Sequence, residues 1–554
     1  MSFSVASVLG SKRDDFRDTQ AGHFLRVFDA MERQATSYDE LPYSSHPLAA
    51  GHPENLACKA LLHGLRPAAV ENCRLLELGC STGGNLIPLG ELLPNAEFVG
   101  LDHAARQIAR GRAIVESLGL SNVDLRTLSF EEVDENLGTF DYIVCHGVYS
   151  WVSVENQQRI LEIIRKLLRP AGVALVSYNV YPGWHLRGMV RDVLLRETAG
   201  RGDAQSQVQH ARAYLDFLAS AAPDAEGVYA RMLRQEANLL RRTPDTYVFH
   251  EHLETVNLPV YFRDFVGAAD RHQLQYLGEA SFSPMVANLP SEIRSRLEQL
   301  SRDRVDWEQQ LDYLCCGTFR RSLLCHAGIS VAARPLSHAI PLVRLAGHAQ
   351  PASVDADLTS TDPLEFRTAE GAAVTTTHPL VKAALAELLD CWPRSSSFHE
   401  LVERAAARIH RPVDPVRNLQ ENELLAAALL RCHECGLVDT HLIEPALATR
   451  VEERPRASRT ARLQADQGES VSNLRHRIVD LHEVDRFLLA QLDGSRDLVR
   501  LAEELVSLVR QGALTLERNG QSVANHEELP EFVRRALQSS MKKMADLALL
   551  ESET

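Results

Sequence analysis

The chain has 554 residues, of which 45% are hydrophobic and 24% charged, and its formal net charge is −15. That length and composition predict a soluble protein of roughly three or four domains, and the acidic balance argues against a broad phosphate-binding surface, since nucleic-acid affinity rests on Lys and Arg neutralising phosphates. No apolar run is long enough to span a membrane, and the N-terminal "MSFSVASVLGSKRDD" turns charged too early for a signal peptide, so the expected compartment is the cytoplasm.

Between Cys73 and Asn179 short apolar runs alternate with helical patterns. "CRLLELG", "AEFVGLD", "VDLRTLSF", "FDYIVCHG" and "VALVSYN" read as strands bounded by turn residues. Between them "NLIPLGELLP", "AARQIARGRAIVESLG" and "ENQQRILEIIRKLLRP" repeat apolar residues at helical spacing. The alternation predicts an α/β fold with a parallel sheet covered on both faces and ligands at the carboxyl ends of its strands. Two late strands, in "HQLQYLG" and "FRRSLLC", are expected to complete the sheet, and residues 198–258 and 284–313 read as helical insertions.

A polar stretch near residue 350 marks a boundary, followed by a helix-rich module over 336–450. Ten cysteines are scattered, several in apolar runs, which suits buried thiols. The one CxxC, Cys432 to Cys435, has no second pair at zinc spacing, so no metal is expected. Residues 451–473 read as a second polar linker. Residues 474–554 then show helix, turn, helix and a hairpin with Asn519 and Gly520 at its tip, a winged-helix-like pattern. The acids Glu503 and Glu504 on its second helix disfavour DNA as its partner.

The densest chemistry lies in "LELGCSTGGN", Leu76 to Asn85. Glycines behind a strand allow a sharp turn and close ligand approach, while amides at the following helix start attract polar groups. Asp102 ends the next strand, where an acid can accept hydrogen bonds from both hydroxyls of a ribose. A dinucleotide site requires GxGxxG, and Gly79 to Gly84 lacks that spacing. The loop instead resembles the (D/E)xGxGxG motif of class I S-adenosylmethionine-dependent methyltransferases, with Glu77, Gly79 and Gly83 matching and Ser81 in place of the middle glycine. Asn85 at the helix start and His103 beside Asp102 complete the loop's surroundings, and Ser129 with the backbone of Phe130 are the candidates for adenine contact.

Beyond the fourth and fifth strands, "CHGVYSWV" and "SYNVYPGWH" gather His146, Tyr149, Trp151, Tyr178, Asn179, Tyr181, Trp184 and His185. Aromatic faces at this density favour cations, both a sulfonium and an alkylammonium acceptor. These segments, with "YDELPYSSHPL", "FHEHLETVNLPVYFRDFVGAADRHQLQYLGEA" and "FRRSLLC", resemble bacterial methyltransferases carrying a methyltransferase regulatory domain, whose best-known members are the rickettsial protein lysine methyltransferases. The resemblance runs from about Tyr38 to Cys325, and the two tail modules look like that family's C-terminal extension.

The resemblance implies a Rossmann-like methyltransferase domain over 46–335 that binds S-adenosylmethionine at Gly79, Gly83 and Asp102, with His146 at its edge. It also implies that an N-terminal arm, residues 1–45, covers the cofactor with Tyr38 and Tyr43 at its methionine end. The expected reaction is in-line methyl transfer to a lysine of a protein or peptide acceptor. Tyr149, Tyr178 or His146 would accept the amine proton, Asn179 and Tyr181 would orient the amine, and Trp151, Trp184 and His185 would line its channel. Two other readings remain open: a small-molecule or peptide-natural-product methyltransferase, and a cofactor-binding regulatory protein without turnover. The sequence sets no oligomeric state.

Overall fold

The computed structural model describes residues 3–4, 41, 45–353, 355–410, 415–468, 470–512, 514–518, 521–522 and 527–552. Its centre is a seven-stranded sheet formed by β1 (Arg74–Leu78), β2 (Glu97–Asp102), β3 (Val123–Thr127), β4 (Phe140–Cys145), β5 (Leu168–Asn179), β6 (Leu274–Glu279) and β7 (Phe319–His326). The strand order is β3-β2-β1-β4-β5-β7-β6. The first five strands run parallel. β7 runs antiparallel to both β5 and β6, because the chain between β6 and β7 stays at the carboxyl end of the sheet. The sheet is therefore mixed: the five strands read as parallel are so, β6 runs with them, and β7 alone is reversed.

Strand residues of both parities are apolar, as burial on two faces requires. Leu75, Tyr142, Val144 and Leu175 pack beneath α1 (Pro53–Leu62), α2 (Leu86–Leu92) and α3 (Ala105–Ser117). Leu76, Ile143, Cys145 and Val176 pack on the other face beneath α4 (Val154–Leu167), whose Ile160, Ile164 and Leu167 form one stripe. Ser153 caps α4 by accepting from the Asn156 N–H. The helix pattern in the sequence runs through Arg169, yet α4 stops at Leu167, since Leu168 already pairs with Phe140 and Pro170 has no N–H for a helix.

After β5 the chain builds a small helical body from α5 (Gly183–Thr198), α6 (Ala204–Ala221) and α7 (Val228–Arg242), with its own core of Leu194, Val208, Leu215, Leu233 and Leu240. α8 (Phe262–Arg271) returns to the sheet and drives Phe265 into the core under β4 and β5. α9 (Ser291–Leu300) and α10 (Arg304–Cys315) then lead into β7. The buried Arg320 of β7 is met by Glu279, Glu308 and Asp312, three carboxylates that offset its desolvation.

The next core gathers Ile340, Leu345, Phe366, Leu385, Leu401 and Leu429 from α11 (Pro379–Cys391), α12 (Phe398–Arg408), α13 (Pro415–Glu434) and short strands. Two of those strands, Leu364–Arg367 and Ala373–Thr376, border the polar stretch read as a boundary near residue 350. Ile340 and Leu345, ahead of that stretch, already belong to this core. α1 joins the two bodies: Leu56 and Ala60 face the sheet, while Cys58 and Leu62 face the middle core. Cys432 is buried in that core and Cys435 lies within 3.6 Å of Asn288 Oδ1. Among the described residues no group of His, Cys, Asp or Glu is placed to hold a metal ion, and no helix is long and apolar enough to cross a membrane.

The stretch 451–473 corrects the sequence reading. It contains α14 (Arg459–Gln467), whose Ala461 and Ala465 are buried with α15 (Glu483–Ala490), α16 (Leu498–Arg510) and α17 (Leu529–Asp546). A threonine and two alanines on a mostly polar helix are enough to bury one face against a neighbour, which is why composition alone suggested a linker. Strands Thr515–Arg518 and Gln521–Ser522 form a hairpin, whose tip at Asn519 and Gly520 lies outside the described residues. Of the N-terminal arm, Phe3–Ser4 pairs with Thr515 and Leu516 of that hairpin.

Candidate active site

The loop after β1 is built by backbone geometry. Gly79 has φ +80, and a Cβ there would stand 2.3 Å from Val148 Cγ2, so only glycine lets the β4 loop close over the turn. Ser81 occupies the left-handed region at φ +52, the conformation a middle glycine would supply. Its backbone N–H donates to Asp102 Oδ2 (2.8 Å), and its hydroxyl to Gln107 Oε1. Asp102 Oδ1 accepts from the Ala104 N–H (2.9 Å). One face of the carboxylate is thus fixed by the loop and the rest faces the sheet's carboxyl end. His103 stands at the rim, half exposed, with Nδ1 3.7 Å from Asp102 Oδ1.

Glu77 is buried beneath the same loop. Its Oε1 accepts from Asn85 Nδ2 (3.2 Å), while Oε2 meets no donor among the described residues. Burial pushes its carboxyl up to about 8, against the Asn85 hydrogen bond and with help from the Asp102 charge. An unpaired buried carboxylate oxygen is costly, and a cation brought to it would relieve the cost. The chain covers this corner with Ser45, whose hydroxyl accepts from the Gly84 N–H (2.8 Å), and Leu48, whose N–H donates to Asn85 Oδ1 (2.9 Å). Tyr38 and Tyr43 lie outside the described residues. Past β3, Ser129 spends its N–H on Glu132 Oε2 (2.8 Å) and the Phe130 carbonyl accepts from Arg159 Nε (3.1 Å), while the Phe130 N–H has no acceptor among the described residues.

At the ends of β4 and β5 the side chains divide between core and site. Asn179 holds its backbone N–H on Ser150 Oγ (2.8 Å) and its Nδ2 on Asn257 Oδ1 (3.1 Å), and among the described residues nothing donates to its Oδ1. Tyr181 stacks on His185 with centroids 4.0 Å apart, and His185 Nε2 meets the Tyr261 hydroxyl at 3.1 Å. Trp151 and Trp184 cross edge to face at 6.3 Å, and Trp184 Nε1 is buried with no acceptor among the described residues. His146 packs edge-on against Phe319, and burial together with Arg321 brings its imidazole down to about 4. The result is a set of rings at the ends of β4 and β5, next to the strand that carries Glu77, with the buried Asn179 among them.

Three family models match the chain: "Methyltransferase domain" over 69–213, "Predicted methyltransferase regulatory domain" over 244–326 and "PKMT, C-terminal winged helix domain" over 453–549. RP789 of Rickettsia prowazekii is 32% identical over 524 residues, covering 93% of each chain. The chain belongs to this methyltransferase family. RP028 of the same organism is 36% identical over 241 residues, 44% of this chain and 96% of RP028. PKMT2 from Rickettsia typhi, solved in complex with AdoHcy, superposes with a TM-score of 0.81 at 29% identity over 92% of this chain and 100% of that one.

The protein is an S-adenosylmethionine-dependent methyltransferase, and its corner residues fit that cofactor. Glu77 Oε2 would face the ammonium of the methionine part, Asp102 would accept from the ribose hydroxyls, and the Phe130 N–H would meet the adenine. Glu77 offers no positive partner for a pyrophosphate, which fits a nucleoside cofactor without phosphate.

Three of the expected proton acceptors are corrected. Tyr149 and Tyr178 lie in the core of the methyltransferase sheet, 1% exposed, packed on Phe265 of α8. The Tyr178 hydroxyl bonds Ser322 Oγ (2.8 Å), and burial drives both phenols above their ordinary value, so neither accepts a proton. His146, neutral with its conjugate acid far below pH 7, is likewise a poor base. The structure brings together Asn179, Tyr181, Trp184, His185 and Trp151, and adds Asn257 and Tyr261. Those two sit in "VNLPVY", whose backbone is tied to β5 through Val260 N–H to Asn179 O (3.1 Å) and Tyr181 N–H to Val260 O (3.1 Å). A polar-aromatic pair flanking a proline before an amphipathic helix was the available signal.

Proposed function

We propose that the protein N-methylates lysine side chains of a protein acceptor at the aromatic wall formed by Trp151, Tyr181, Trp184, His185 and Tyr261. The observation that carries this reading is Asn179 at the end of β5, tied through Nδ2 to Asn257 and with no donor to its Oδ1 among the described residues, on the strand that leads into those rings. The similarity to Rickettsia typhi PKMT2 supports it. When bound, S-adenosylmethionine supplies an activated methyl group for in-line displacement, and the enzyme's work is positioning. Asn179 Oδ1 accepts a hydrogen bond from the incoming amine and sets its direction. The tryptophan pair excludes water, which favours the neutral, nucleophilic amine over the ammonium. With Tyr149, Tyr178 and His146 unable to take the proton, it leaves toward solvent past Tyr181 and the exposed His185. The test is incubation with methyl-labelled S-adenosylmethionine and a fractionated lysate. Label is expected in protein, at lysine after hydrolysis, and label only in small molecules overturns the proposal.

A further inference from the structure

Asn85 joins three distant parts of the chain. Its Nδ2 donates to Glu77, and its Oδ1 accepts from the Leu48 N–H and from His476 Nε2 at 2.8 Å. His476 belongs to the winged-helix module, 391 residues further along, on the turn between strands Val471–Ser472 and Ile478–Val479. With Asn85 Oδ1 already an acceptor for Leu48, the imidazole must carry its proton on Nε2, and Nδ1 is left without a partner among the described residues. The ring is 1% exposed and meets His52 edge-on at 5.3 Å, and burial with that second imidazole keeps it neutral. A buried imidazole with a single hydrogen bond is a poor way to fill space, since an apolar side chain would avoid the desolvation cost.

The turn itself is anchored on its other sides. Asn473 Nδ2 donates to Leu547 O (2.9 Å), the Leu474 N–H to Ala548 O (2.9 Å), and Arg475 Nη2 to Pro393 O (3.0 Å) and Glu444 Oε1 (3.1 Å). His476 adopts φ +54, a left-handed conformation costing a non-glycine residue about 1 kcal/mol, tolerated where its surroundings dictate it. Beside it, Arg459 and Thr460 dock by backbone N–H on Glu91 of α2, so the module grips the helix that follows the glycine loop.

We propose that His476 is a positioning residue of the cofactor site: from the winged-helix module it holds the Asn85 amide so that Glu77 Oε2 stays open to the ammonium of S-adenosylmethionine. Without it, the Asn85 side chain is held at Oδ1 by Leu48 alone, and its hydrogen bond to Glu77 loosens. The inference rests on cofactor binding and is independent of the acceptor's identity.

The test is calorimetric titration of the full chain with S-adenosylhomocysteine, alongside thermal melting of the ligand-free proteins. His476→Ala is expected to weaken binding about tenfold. His476→Gln, whose amide nitrogen takes the place of the imidazole Nε2 donor, is expected to restore affinity to within about threefold of the parent. In a Glu77→Gln background the His476→Ala change is expected to cost less than about twofold, because its effect runs through Glu77. If His476→Ala does not fold, His476→Asn, which tolerates the left-handed backbone but is too short to reach Asn85, serves in its place. Parental affinity in these variants, or an equal loss in both backgrounds without rescue by Gln, overturns the proposal. Failure of the unaltered protein to bind S-adenosylhomocysteine would instead overturn the cofactor assignment.

Discussion

The two halves of the sheet's carboxyl end are made differently. The β1–β3 half is a set of backbone amides and carboxylates: Gly79, Ser81, Ala104, Asp102 and Glu77, fixed by turn geometry within one stretch of chain. The β4–β5 half is a set of rings whose positions depend on α5, α8 and the Asn257–Tyr261 segment. The first is rigid because left-handed and close-packed backbone admits few alternatives. The second depends on packing between separate elements, so its rings can vary while the first half keeps its geometry.

Substitutions can break that separation or sharpen it. The largest effect is expected from Asp102→Ala, which removes both the ribose acceptor and the pin on Ser81: cofactor affinity should fall about 100-fold or more, on the order of 3 kcal/mol. Retained affinity by titration would show that the corner is not the ribose site. Asn179→Ala should lower turnover roughly 10- to 100-fold while leaving cofactor affinity within about twofold. Equal losses in both quantities would mean the halves are one unit.

A smaller and more specific signal concerns protons. In the ligand-free protein Glu77 keeps its proton below about pH 8. An incoming ammonium favours the carboxylate, so at pH 6.5 cofactor binding should release up to about one proton per site. The same raised value means that the folded, ligand-free protein holds a proton the unfolded chain has lost between about pH 4.5 and 8, so this group's contribution to stability falls as pH rises through that window. Binding enthalpies compared across buffers of different ionisation heat measure the release, and Glu77→Gln should abolish it. Buffer-independent enthalpies in the parent protein would count against Glu77 as the ammonium partner. The smallest effect is expected from Tyr178→Phe, which loses one hydrogen bond to Ser322: melting should fall by an amount equivalent to about 1 kcal/mol with turnover unchanged. A large loss of turnover would return Tyr178 to the catalytic set.

The sequence made the first half legible and much of the second obscure, for a physical reason. Gly79, Gly83 and Asp102 sit where local backbone rules decide the outcome, so spacing alone locates them. Even the departure at Ser81 is local: a left-handed serine keeps the turn and ties it to Gln107. Tyr149 and Tyr178 read equally well as site or core residues, and what decides is Phe265, which no local pattern connects to them. Arg459–Gln467 hid as a linker because its buried face is made of a threonine and two alanines. His476 carried no signal, since its partner is an asparagine at the other end of the chain.

That last contact has a consequence for biosynthesis. The sheet is complete once His326 has been made, but the Asn85 corner waits for His476. At roughly 5–20 residues per second, a ribosome needs about 8–30 s to cover the interval. Throughout that time the nascent enzyme carries a finished Rossmann-like sheet with an unfinished corner. On the proposal above, full cofactor affinity then arrives only with the final module.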